Sequence, residues 1–243
     1  RFEEASRAWE RAVSLGYGYS VLYRNYGFLL MNRGNVREAI DVLERGMSLP
    51  PVNYDILMYL NRLYKMEGLQ SRREALLDRL SDPAGLPQSA VRLAIAILND
   101  LERYDEAIAL LGSYPFNNWE NPYAGMPDLR ELYHGALIGR ATRAMAAKRW
   151  DEAIADLERS TGYSPNLRLG VEFGQSFARE HYLLALCREK KGDFARALHH
   201  CTLIGDLRLT PDSPHYREYV KAVQKKTELE WLGFETPRVT RAE

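Results

Sequence analysis

His199-His200-Cys201 places metal-ligating side chains in direct succession within this 243-residue chain. Imidazole and thiolate are ligands for zinc and copper. On a helix, however, neighbouring residues point about 100° apart, and no second Cys/His pair stands at ligand spacing. The run is read as core and surface residues of a helix, and no metal is expected. His134, His181 and His215 stand isolated in the sequence. The carboxylate pairs Asp105-Glu106 and Asp151-Glu152 could do general acid–base work. Each opens an apolar-periodic segment, where acidic residues complement the helix macrodipole and cap free N–H groups. No G-x-S-x-G, P-loop, dinucleotide fingerprint or H-E-x-x-H occurs. The reading is a binding protein without catalytic residues or cofactor.

Composition narrows the partners. Apolar residues make up 46% and charged residues 27%, the balance of a folded chain. Thirty-three basic and 33 acidic side chains cancel, so no global field draws nucleic acid or an anionic membrane. No apolar run approaches the ~20 residues of a membrane span. Cys187 and Cys201 are the only cysteines, and two buried reduced thiols are expected. The chain starts without Met, inside a helical pattern at Arg1-Phe2-Glu3-Glu4-Ala5. It reads as a piece of a larger protein, and the expected compartment is the cytoplasm.

The elements that would position any site come from an internal repeat. Gly34-Asn35-Val36-Arg37-Glu38-Ala39-Ile40-Asp41-Val42-Leu43 returns at 102–111, at 148–157 and at 192–201, and Phe2-Glu3-Glu4-Ala5 with Trp9 is a further copy. Ala5 to Ala39 is 34 positions, and so is Gly34 to Gly68. Within each copy a small Ala lets a preceding helix approach closely. A large side chain four residues on (Trp9, Leu43, Leu111, Leu157, Cys201) lies on the same face. An aromatic or Val three residues earlier (Phe2, Val36, Tyr104, Trp150, Phe194) closes the turn, and Pro51 and Pro165 stop the helix. Helices are expected near 2–14, 20–33, 36–48, 53–67, 71–80, 88–100, 104–112, 127–147, 150–160, 174–190, 194–204 and 213–231.

The period and these residues resemble the tetratricopeptide repeat family. Tyr23, Tyr26, Gly27 and Leu30 fall where that family's W-x2-L-G-x2-Y pattern expects them. The resemblance implies an all-α, right-handed α–α superhelix of about six hairpins with a C-terminal capping helix. Repeats are expected near 1–19, 20–53, 54–87, 88–126, 127–173 and 174–205, with a capping helix in 206–234 and a tail at 235–243. The third repeat is the weak one. Leu69 to Arg73 read as carrying two extra residues before Ala75, with Arg79 in the large apolar position and the helix distorted.

Two connections exceed the 34-residue period, Ala107 to Ala153 at 46 positions and Ala153 to Ala197 at 44. The excess falls in Ser113–Pro127 and Thr161–Gly174. Their aromatics, Phe116, Trp119, Tyr123 and Phe173 among them, either patch grooves that the extra length opens or present an interaction surface. The Pro-Phe-Asn-Asn-Trp-Glu and Tyr-Ser-Pro-Asn-Leu segments also resemble the repeat tail of large bacterial proteins with an N-terminal mutarotase-like β domain. That resemblance implies an accessory module docking a carbohydrate-binding domain through the two loops, as the alternative function.

The family resemblance further implies that first helices line a concave groove through their positions 2, 5, 9 and 12. Those positions hold Arg24, Phe28, Asp55, Met58, Arg62, Lys65, Arg92, Asn99, Arg179, Tyr182 and Glu189. The expected function is a protein-interaction scaffold whose groove takes an extended, acidic peptide. Arg24, Arg62, Arg92 and Arg179 would hold carboxylates, and Phe28, Met58 and Tyr182 would make apolar contacts. Arg24, Asn25 and Arg92 only partly imitate the family's two-carboxylate clamp, so no chaperone tail is implied. RNA-binding helical repeats are disfavoured by the period and the zero net charge. Self-association through the N-terminal edge, at Trp9 and Ala12, is a further expectation.

Overall fold

The computed structural model describes residues 2–117, 128–162, 167 and 177–236. The described residues form helices without strands. In order these are α1 (Phe2–Ser14), α2 (Ser20–Asn32), α3 (Val36–Gly46), α4 (Tyr54–Met66), α5 (Gln70–Asp78), a 3-10 turn (Pro83–Gly85), α6 (Gln88–Asp100), α7 (Tyr104–Ser113), α8 (Leu129–Ala146), α9 (Trp150–Thr161), α10 (Ala178–Lys190), α11 (Phe194–Gly205) and α12 (Tyr216–Trp231). The chain divides into two compact units, Arg1–Ile97 and Leu98–Glu243.

Within the first unit α2 packs on α3 and α4 on α5. Within the second α8 packs on α9, α10 on α11, and α12 on both α10 and α11. The repeated residues explain why. Ala39, Ala107, Ala153 and Ala197 are all fully buried, and so are Leu43, Leu157 and Cys201 four residues on. In α2 the partner position is Gly27, where an added Cβ would stand 2.5 Å from Leu43 Cγ. That approach brings two helix backbones together and admits no larger side chain. Phe194 plugs the turn end of α10–α11, stacking on Phe234 at 4.7 Å and packing with Leu198 and Leu229.

Each first helix ends in the same way. The N–H groups of Asn35, Leu69, Arg103, Arg149 and Asp193 each bond the carbonyl five residues back, on Leu30, Tyr64, Leu98, Ala144 and Arg188. This is the Schellman closure, which needs a left-handed residue just before that N–H. Gly34, Gly68 and Gly192 take it at φ of +79°, +67° and +75°, whereas Glu102 and Lys148 take it at +58° with a side chain attached.

The third repeat corrects the sequence reading. No two-residue insertion precedes α5. Arg73, 34 residues after Ala39, occupies the alanine position and is 6% exposed, while Ala75 lies on the surface. Arg73 Nε donates to Asn61 Oδ1 at 2.9 Å, and Asn61 is 34 residues after Gly27. A hydrogen-bonded pair thus occupies the two positions that hold Gly27 and Ala39 in the second repeat. Leu76 and Leu80 are buried, and Arg79 faces outward. Cys187 and Cys201 are unpaired, fully buried thiols.

Candidate interaction site

In the unit Arg1–Ile97 the first helices α2 and α4 bring five of the expected groove residues onto one face. Arg24 on α2 stands 3.9 Å from Asp55 on α4 and lies near the Tyr59 hydroxyl. Its Nε is buried and has no hydrogen-bond partner among the described residues. Burial, with the Asp55 charge, raises the Tyr59 pKa against the opposing pull of Arg24, so the phenol stays protonated and neutral. Phe28, 43% exposed, stacks on the Tyr59 ring at 5.3 Å. Half-buried Met58 and exposed Arg62 complete the surface, one turn apart on α4. The result is an aromatic platform between cations, with Asp55 loosely covering one of them. Tyr59 was missed by the sequence reading because it falls one residue beyond the groove register.

Arg92 does not join this face. It is 7% exposed, because α6 is buried on nearly all sides from Ala90 to Leu98. A helix enclosed all round leaves its register positions no open surface. Arg92 is therefore a wall residue and not a contact for a ligand.

In the unit Leu98–Glu243 the expected contacts Arg179 and Tyr182 separate. Exposed Arg179 lines a cavity of about 300 Å³ with Arg130, His134, Ile138, Glu180 and His215. His134 Nδ1 lies 3.0 Å from Glu180 Oε1. Burial alone would push the Glu180 carboxyl up. The hydrogen bond from His134, its own backbone N–H and the nearby imidazoles outweigh it and hold the pKa below the ordinary range. Tyr182 instead packs half-buried against Ala178, Ala185, Cys201 and Ala222, with the Lys221 ammonium 5.9 Å above its ring.

The histidines that stand apart in sequence meet in space. His134 lies against Phe177 (5.7 Å), Phe177 against His181 (6.5 Å) and His181 against His200 (5.3 Å, stacked). Nδ1 of both His181 and His200 is buried without a hydrogen bond among the described residues. Burial first, then the neighbouring positive charges, depresses the His200 pKa to about 3, and burial lowers that of His181. Among the described residues no group of three or more His, Cys, Asp and Glu is placed to hold a metal ion.

Of the loop residues, Phe116 is 2% exposed and packs on Tyr114 at 4.8 Å. Buried, it offers no surface to a partner. Trp119, Tyr123 and Phe173 lie outside the described residues. No described helix is long and apolar enough to cross a membrane.

No protein-family model and no curated protein matches the sequence. Solved structures do. YrrB, described as a TPR protein with an unusual peptide-binding site, aligns over 90% of this chain and 99% of its own, at 16% identity and a TM-score of 0.56. MamA from AMB-1 aligns over 76% of this chain and 96% of its own, at 20% identity and a TM-score of 0.50. The chain thus has the tetratricopeptide fold, an all-α solenoid of helical repeats.

Proposed function

We propose that this protein is a non-catalytic interaction scaffold whose first-helix face binds an extended peptide bearing carboxylates. The observation that carries the reading is the Phe28–Tyr59 stack set between Arg24 and Arg62. An exposed phenylalanine stacked on a half-buried tyrosine, with a guanidinium group on each of the same two helices, suits a segment alternating apolar and acidic side chains. Asp55, at 3.9 Å, is a loose partner that an incoming carboxylate could replace on Arg24. The peptide-binding description of YrrB supports the same class of partner for a shared fold, although fold alone does not transfer a ligand. Arg179, beside His134 and His215 in the second unit, is proposed as a second point of carboxylate contact.

The test is selection from a displayed peptide library on the whole chain, followed by the same selection on Arg24→Glu/Arg62→Glu. Enrichment of acidic-apolar peptides by the wild type only, with helical circular dichroism unchanged, is the expected result. Equal enrichment by both proteins would remove the first-helix face from the reading.

A further inference from the structure

A second concavity lies on the loop side of the unit Arg1–Ile97. It is a cleft of about 530 Å³ between the α3–α4 connection, the first turn of α4 and the end of α5, lined by Met47, Leu49, Val52, Tyr54, Leu57 and Arg79 among others. This face uses none of the residues assigned above to peptide binding.

The walls of the cleft are held in place. The Ser20 N–H donates to the Pro50 carbonyl at 3.1 Å and its hydroxyl to the Pro51 carbonyl at 2.5 Å. Ser20 itself is fully buried. On the other side Arg79 Nη2 donates to Ser48 Oγ at 3.3 Å. Asn53 Oδ1 accepts the Asp55 N–H and so caps the α4 N-terminus, which borders the cleft through Asn53 and Tyr54. The loop is tied to α2 and α5 and offers a preformed surface.

Its chemistry is one-sided. Methyl and methylene groups of Met47, Leu49, Pro50, Val52 and Leu57 make most of the lining, and Val52 is 68% exposed. Arg79 is the only charged lining residue. Its described partner is the neutral Ser48 hydroxyl, and no carboxylate lies at ion-pair distance among the described residues. An apolar wall with one available cation complements a molecule that is hydrocarbon at one end and anionic at the other. The volume lies within the ~300–1,000 Å³ of small-molecule clefts. We propose that this cleft binds a small apolar carboxylate, its hydrocarbon chain or ring along Leu49, Val52 and Leu57 and its carboxylate on the Arg79 guanidinium.

Calorimetric titration of the whole chain with sodium octanoate, octanol and octylammonium tests this, using wild type, Arg79→Gln and Arg7→Gln. Arg7 is an exposed cation of α1 and controls for loss of a charge. The expected result is saturable octanoate binding that weakens about tenfold or more in Arg79→Gln and holds in Arg7→Gln, with octanol and octylammonium at least tenfold weaker on the wild type. Octanol binding as well as octanoate, equal affinities in wild type and Arg79→Gln, or no octanoate binding would each overturn the proposal. A leucine-terminated acetylated peptide with a free carboxylate that binds tenfold tighter than octanoate would also overturn it and assign the cleft to a chain terminus.

Discussion

Arg73 Nε donates to Asn61 Oδ1 across 2.9 Å inside the α4–α5 hairpin, at the positions that Ala39 and Gly27 hold in the hairpin before it. Each of the pair satisfies the other in a place with little water. Arg73→Ala should therefore cost about 2–4 kcal/mol, from the volume lost and from the stranded Asn61 amide. The double change Arg73→Ala/Asn61→Gly removes both partners and should recover at least half of that. Urea unfolding of Arg73→Ala, Asn61→Gly and the double variant measures the coupling. Additive losses would show that the two residues act independently.

Stability should fall as pH drops through the histidine range. The His200 pKa is about 3 in the folded chain, against an ordinary 6.5, so the unfolded state binds the extra proton below pH 6.5. The stabilising contribution is complete above pH 6.5 and declines from there toward pH 3, by at most about 1.4 kcal/mol per pH unit for one imidazole. His181 acts in the same direction, raised by Glu180 but lowered more by burial and His199. Between pH 6.5 and 5 the carboxylates contribute little, which isolates the effect. The urea midpoint should drop from pH 7.5 to 5.5 in the wild type and change far less in His181→Phe/His200→Phe. The same drop in both proteins would place the sensitivity elsewhere.

Lys148 holds a left-handed φ of +58° in the turn between α8 and α9, with its side chain exposed. The equivalent turns use Gly34, Gly68 and Gly192. A Cβ there costs about 1–2 kcal/mol, partly offset by the greater freedom that glycine loses on folding. Lys148→Gly should stabilise the chain by about 0.5–1 kcal/mol, raising Tm by a few degrees. A lower Tm would mean that the lysine side chain makes a contact the backbone argument omits.

The helices were legible because their signals are local. Val36, Tyr104, Trp150 and Phe194 each begin a helix where the repeat predicts it, since a turn-closing residue, a buried alanine and a large apolar residue fall within eight positions. The third repeat was misread for the opposite reason. Its Arg73–Asn61 pair performs the packing task with residue types that no apolar pattern detects, and Ala75 nearby imitates the missing alanine. Tyr59 and the meeting of His134, Glu180 and His215 come from side chains on successive first helices, far apart in sequence but adjacent in register. Arg92 was misplaced because a register position says nothing of whether its helix is covered.

Cys187 and Cys201 sit on the two helices of one hairpin, α10 and α11, and burial pushes both thiols up to about 11. Neither thiolate nor access is present while the hairpin is closed, so an alkylating reagent reads only the moments when it opens. Labelling each thiol at increasing reagent concentration would time that opening and report its free energy separately from global unfolding. The two sulfur atoms thus form a built-in clock for how often this end of the array comes apart.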